Sequence, residues 1–167
     1  MVSQACACLH PRVQAAAWCA EGIPGFVSML TGKPGSLAVR AAAEALSDLA
    51  KENRAGQDRI REAGAVSHLL QLLSASMESN SLVVTVVKAL SVLAHGNDDN
   101  MEALFHQGAI PLLLKMLEPS GGHVCNAAAA DLVRVLCANS LCQQQILRNQ
   151  GLQVCPSLAL PFLRCTL

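Results

Sequence analysis

Apolar residues recur along this chain at the period of a helix. Val39, Ala42, Leu46, Leu49 and Ala50 follow i, i+3, i+7, i+10, i+11, which predicts a helix from about Ser36 to Lys51 with one buried stripe and Ser36 as its N-cap. Val83, Val86, Leu90, Leu93 and Ala94 repeat that stripe on a second long helix, Leu82 to His95. A third runs from Val124 to Ala138. Between them, Gln57 to Ala63, Glu102 to Gln107 and Leu141 to Gln150 read as short helices. Val66 to Leu73 and Ile110 to Leu117 read as apolar helices that follow a glycine. Near the start, Arg12 to Ala20 is alanine-rich with Trp18 as one large anchor, and Phe26, Val27, Met29 and Leu30 offer the next helix a buried face. Polar turns such as Thr31 to Ser36 and Gly96 to Asn100 separate these elements.

The elements come round at a fixed interval. Glu62-Ala63-Gly64-Ala65-Val66 returns as His106-Gln107-Gly108-Ala109-Ile110, with the glycines 44 residues apart, and Gly151 lies 43 further on. Gly22-Ile23-Pro24 is the same element with one residue missing after its glycine. Ala45-Leu46-Ser47-Asp48-Leu49-Ala50 aligns with Ala89-Leu90-Ser91-Val92-Leu93-Ala94, again 44 apart. A period in the forties is the mark of stacked helical repeats, each too small to bury its apolar face alone.

Composition agrees. The 167 residues are 52% hydrophobic but 2% aromatic, so the core must be Leu, Val, Ile and Ala, which favours closely packed helices. Twelve basic and twelve acidic residues give no net charge, which removes the basic footprint of a nucleic-acid binder. No apolar run approaches a membrane span, and the N-terminus lacks the basic and apolar regions of a signal peptide. The expected compartment is therefore cytoplasmic or otherwise intracellular, the nucleus included. The cysteines, at 6, 8, 19, 125, 137, 142, 155 and 165, leave the middle of the chain empty, so they read as buried reduced thiols rather than staples.

Searches for chemistry end in structural roles. Cys8 with His10, and Cys125 with His123, bring a thiol near an imidazole, but nothing supplies an oxyanion hole or an orienting third group. Cys6-x-Cys8 and Cys137-x4-Cys142 match no zinc spacing, and Thr31 to Ser36 lacks the Gly-Lys-Ser order of a phosphate loop. Asn97-Asp98-Asp99-Asn100 lacks the glycine and terminal glutamate of a calcium loop and reads instead as the cap of a helix starting near Met101. His68, His95, His106 and His123 fall near helix ends or on exposed faces. No cofactor or metal is expected.

A short helix, a glycine break, an "A-I-P-x-L-L-x-L-L" helix and a long helix bearing "A-L-S-x-L-A" resemble the armadillo repeat. The residues that carry the resemblance are Ala63 to Val66, Gly108 to Pro111, Ala45 to Ala50 and Ala89 to Ala94. It implies an all-α, right-handed α-solenoid: a helix end at 1–10, full repeats at 11–53, 54–97 and 98–140, and a partial repeat at 141–167. It further implies that the third helix of each repeat lines a concave groove, usually used to bind an extended peptide or a partner helix. The residues assigned to that groove are Arg40, Glu44, Asp48, Lys88, Val92, Asp131, Arg134 and Val135. Importin-α, which has a similar fold, reads nuclear signals with Trp-x-x-x-Asn pairs. The matching positions here hold Glu44 and Asp48, Lys88 and Val92, Asp131 and Val135.

The expected function is a non-catalytic protein-interaction module with a groove partner of mixed charge, and with no nucleic-acid or membrane partner. The alternative is a substrate-recruiting or regulatory arm of a larger enzyme such as a ubiquitin ligase. Apolar faces at Val2 to Leu9 and Leu152 to Leu163 lack polar capping repeats, so the chain is expected either to associate end to end or to be a fragment of a longer protein.

Overall fold

The computed structural model describes residues 22–76, 80–117 and 123–149. Among the described residues there are nine α-helices and no strand. They are α1 (Ile23–Leu30), α2 (Leu37–Ala50), α3 (Arg54–Glu62), α4 (Ala65–Ala75), α5 (Asn80–Ala94), α6 (Asp98–His106), α7 (Ala109–Met116), α8 (His123–Leu136) and α9 (Ser140–Arg148). Arg12 to Ala20 with Trp18, the two apolar end faces, Gly151 and five cysteines (6, 8, 19, 155 and 165) lie outside the described residues.

The long helices α2, α5 and α8 stack side by side and form the largest packing surfaces in the chain. Their buried positions are homologous. Ala42, Val86 and Ala129 are sealed at one level, Leu46, Leu90 and Val133 at the next, and Ala50, Ala94 and Cys137 at the last. The small residues of the last level, with Ala42 and Ala129 at the first, let the backbones approach, while Leu46, Leu90 and Val133 fill the middle level. Cys137 thus stands where its homologues are alanines, the small apolar role expected of it.

The short helices α3, α6 and α9 also stack in sequence, and each is opened by an asparagine. Asn53 Oδ1 accepts from Gly56 N–H at 3.0 Å, Asn97 Oδ1 from Asn100 N–H at 3.1 Å, and Asn139 Oδ1 from Leu141 N–H at 3.0 Å. These caps place α3 and α6 three residues earlier than the apolar pattern does, at Arg54 rather than Gln57 and at Asp98 rather than Met101. The first turn of each holds no large apolar residue and so is invisible to a hydrophobic stripe, yet the cap side chain satisfies one of its exposed N–H groups.

Two of the period-marking glycines are left-handed. Gly64 and Gly108 hold left-handed φ values of 79° and 74° in the sharp turns into α4 and α7. Gly22 does not. It is right-handed at φ −80°, so the shortened first copy enters α1 without the left-handed turn. In α1 the buried residues are Ile23, Val27 and Leu30, at i, i+4 and i+7. Met29 falls off that stripe and is 39% exposed, which corrects its assignment to the buried face.

Candidate functional site

The residues assigned to the groove sit on α2, α5 and α8, and stacking brings their faces together. Glu44, Lys88 and Asp131 occupy one homologous level and are all exposed. Asp48, Val92 and Val135 occupy the level one turn on; Asp48 is exposed, whereas the two valines are half-buried against the core. Arg40 is half-buried on the turn before Glu44, and Arg134 is exposed. Exposure follows from the same periodicity that buries Leu46 and Leu90: these positions lie across the helix from the stripe.

The electrostatics of this face are uneven. Arg134 Nε lies 3.8 Å from Asp131 Oδ1, so the charges on α8 partly cancel. Among the described residues the other ion pairs join Arg54 to Asp58 and Asp99, and Arg61 to Asp58, all on the short helices α3 and α6. Glu44, Asp48, Lys88 and Arg40 take part in no ion pair within 4.0 Å among the described residues.

A second feature lies between α4 and α7. Ser67, Leu70, Gln71, Ser74, Gln107 and Leu112 border an open cleft of about 450 Å³, bridged at one point by the Ser67 hydroxyl donating to Gln107 Oε1 at 3.0 Å. It carries no charged group, so it offers hydrogen bonding and a little apolar surface but no acid, base or nucleophile.

Sequence reasoning missed a buried polar ladder that locks neighbouring short helices together. Gln57 Nε2 donates to the carbonyls of Val92 and His95 at 2.9 and 3.3 Å, satisfying the C-terminal end of α5. Asn97 Nδ2 donates to Gln57 Oε1 and to Asp58 Oδ1. Asn100 Nδ2 reaches Gln57 O at 3.4 Å, and Cys142 Sγ, one repeat later, reaches Met101 O at 3.6 Å. Gln57 and Met101 are themselves 44 residues apart, so both contacts run from one short helix to the equivalent carbonyl of the one before. The signal was present as asparagines at 53, 97 and 139, each just ahead of a short helix.

Cys142 and His68 take structural roles, while Cys8, His10 and the side chains of His123 and Cys125 lie outside what the structure describes. Cys142 is fully buried, and burial first, then the nearby Glu102 carboxylate, push its thiol up to about 11. A thiol held protonated in this way is a poor nucleophile at neutral pH. His68 Nδ1 lies 3.0 Å from Gly64 O inside its own helix. Among the described residues no cluster of three His, Cys, Asp or Glu side chains could hold a metal ion, and no helix is long and apolar enough to cross a membrane.

No family model matches the chain, and no curated protein matches it. Solved structures do. Two engineered proteins, each 24% identical, superpose with TM-scores of 0.77 and 0.76 over 89% and 87% of this chain. An armadillo-repeats-only protein from Plasmodium falciparum, 21% identical, superposes at 0.65 over 87% of this chain and 67% of its own. The fold is an armadillo-like helical repeat. At these identities the likeness concerns the fold alone. The chain spans 59% and 35% of the two engineered proteins it matches.

Proposed function

We infer that this chain is a non-catalytic protein-interaction module, and that α2, α5 and α8 form a groove which receives an extended peptide or a partner helix. The observation that carries this reading is the repetition of the exposed face. Glu44, Lys88 and Asp131 recur on stacked helices at one level, with Asp48, Val92 and Val135 at the next. A row of side chains at regular spacing is matched by the regular repeat of a bound segment, and affinity then needs no deep pocket. The half-buried valines supply apolar contact between charged neighbours. The armadillo-like fold supports the reading, and the buried, protonated state of Cys142 argues against a cysteine nucleophile.

A library of displayed random peptides, selected against the full chain, tests this. Selected peptides should lose binding when Val92→Arg is introduced and keep it when Arg59→Ala is introduced on α3. Peptides that compete instead for the Ser67–Leu112 cleft, or a failure to select any, would contradict the groove.

A further inference from the structure

Resting on that groove, we propose that its partner is an extended segment with a set order of charge: basic side chains over α2, an acidic one over α5, and uncharged residues over α8. The order follows from which groove charges are left unsatisfied. On α2, Glu44 and Asp48 are exposed, one turn apart, and among the described residues neither forms an ion pair within 4.0 Å. Arg40, half-buried on the preceding turn, and Lys51, at the C-cap of α2, form no ion pair with them among the described residues, so both carboxylates stay open to a partner's cations. On α5, Lys88 is exposed and forms no ion pair among the described residues, and its neighbours Val84, the homologue of Arg40, and Val92 are uncharged. On α8, Asp131 already has Arg134 at 3.8 Å, so a charged partner residue gains little there.

Geometry makes the order readable. Packed helices lie about 8–10 Å apart, and an extended chain advances roughly 3.3 Å per residue, so successive helices are met about every three residues. One residue type per helix is therefore sampled in turn. Leu37 strengthens the acidic end. It is 72% exposed, two turns before Glu44 on the same face of α2, and gives the aliphatic stem of an arginine or lysine an apolar seat. Like charges placed opposite each other repel, so the pattern also rejects segments of inverted charge.

Fluorescence anisotropy with the full chain and two labelled peptides of about twelve residues tests the proposal. One probe carries two arginines followed by a glutamate three residues on, in a threonine–alanine background; the other carries glutamates and an arginine at those positions. The first should bind about five- to tenfold tighter at low salt, as expected for three solvent-exposed charge pairs, with the preference shrinking as salt is raised. The triple variant Glu44→Lys, Asp48→Lys, Lys88→Glu should reverse the preference, and Arg59→Glu on α3 should leave it unchanged. Equal binding of both probes, in competition with a display-selected peptide, overturns the charge order and leaves the groove standing. Retention of the original preference by the triple variant also overturns it. Binding by neither probe nor any selected peptide overturns the groove itself.

Discussion

Asn97 Nδ2 donates to Gln57 Oε1 at 3.1 Å, joining the cap of α6 to a side chain of α3 that is 40 residues earlier in the chain. Asn97 also caps its own helix and donates to Asp58, and it is fully buried. Asn97→Ala removes the cap and strands buried acceptors, so it should cost about 2–4 kcal/mol in urea unfolding. Asn53→Ala, which loses chiefly a cap, should cost about 1 kcal/mol. Asn97→Asp keeps the cap but places a carboxylate against Asp58, and should fall between wild type and the alanine variant.

The turns make a paired prediction. Gly108→Ala forces a side chain into a left-handed backbone where nothing crowds its Cβ, so the cost of about 1–2 kcal/mol is purely conformational. Gly22→Ala, at a right-handed φ, should carry no such penalty. Among the described residues Glu52 is the one non-glycine residue with a positive φ, at 54°, and its homologue 44 residues on is Gly96 at φ 68°. Glu52→Gly should therefore stabilise the chain by about 0.5–1 kcal/mol, read as a rise in Tm.

Inside and outside of α5 are separated by two residues. Leu90 is fully buried, and Leu90→Asp should unfold the chain by leaving a charge in the stacked core. Lys88 is exposed, and Lys88→Ala should stay within about 0.5 kcal/mol of wild type by circular dichroism melts. Equal destabilisation by both would contradict the assignment of faces.

Cys142 sets an alkaline limit. Its folded thiol titrates near 11, above the ordinary value of 9.0. A raised folded pKa favours the protonated, folded form, so its contribution is complete below pH 9 and is lost as pH climbs towards 11. The Tm should fall over that interval, and Cys142→Ala, lower at neutral pH, should show a shallower alkaline slope. In native protein at pH 7 this thiol should react with a maleimide far more slowly than after unfolding.

The long helices were legible because their stripes are strong, and in α2 the cap is simple: Ser36 accepts from Val39 N–H at 3.3 Å, as its position suggested. The short helices were legible only in part. The first turns of α3 and α6 hold no large apolar residue, and in α6 the capping asparagine, Asn97, also has partners 39 and 40 residues away, beyond the reach of a local pattern. The buried Gln57 was missed for the same reason, since glutamine between Gly56 and Asp58 looks like surface until α6 packs over it. The 44-residue period put Glu44 and Lys88 at equivalent positions on neighbouring long helices, which stack on one another. Ion pairing on that face was not legible, because whether Arg134 meets Asp131 or Arg40 meets Glu44 depends on side-chain geometry within a helix turn.

Hydrogen exchange on the full chain, with and without a display-selected peptide, tests the central claim most directly. Binding should slow exchange along α2, α5 and α8 and leave α3, α4, α6 and α7 near their unbound rates. Protection centred on the α4–α7 cleft or on the short helices, with the long helices unchanged, would show that the partner sits elsewhere.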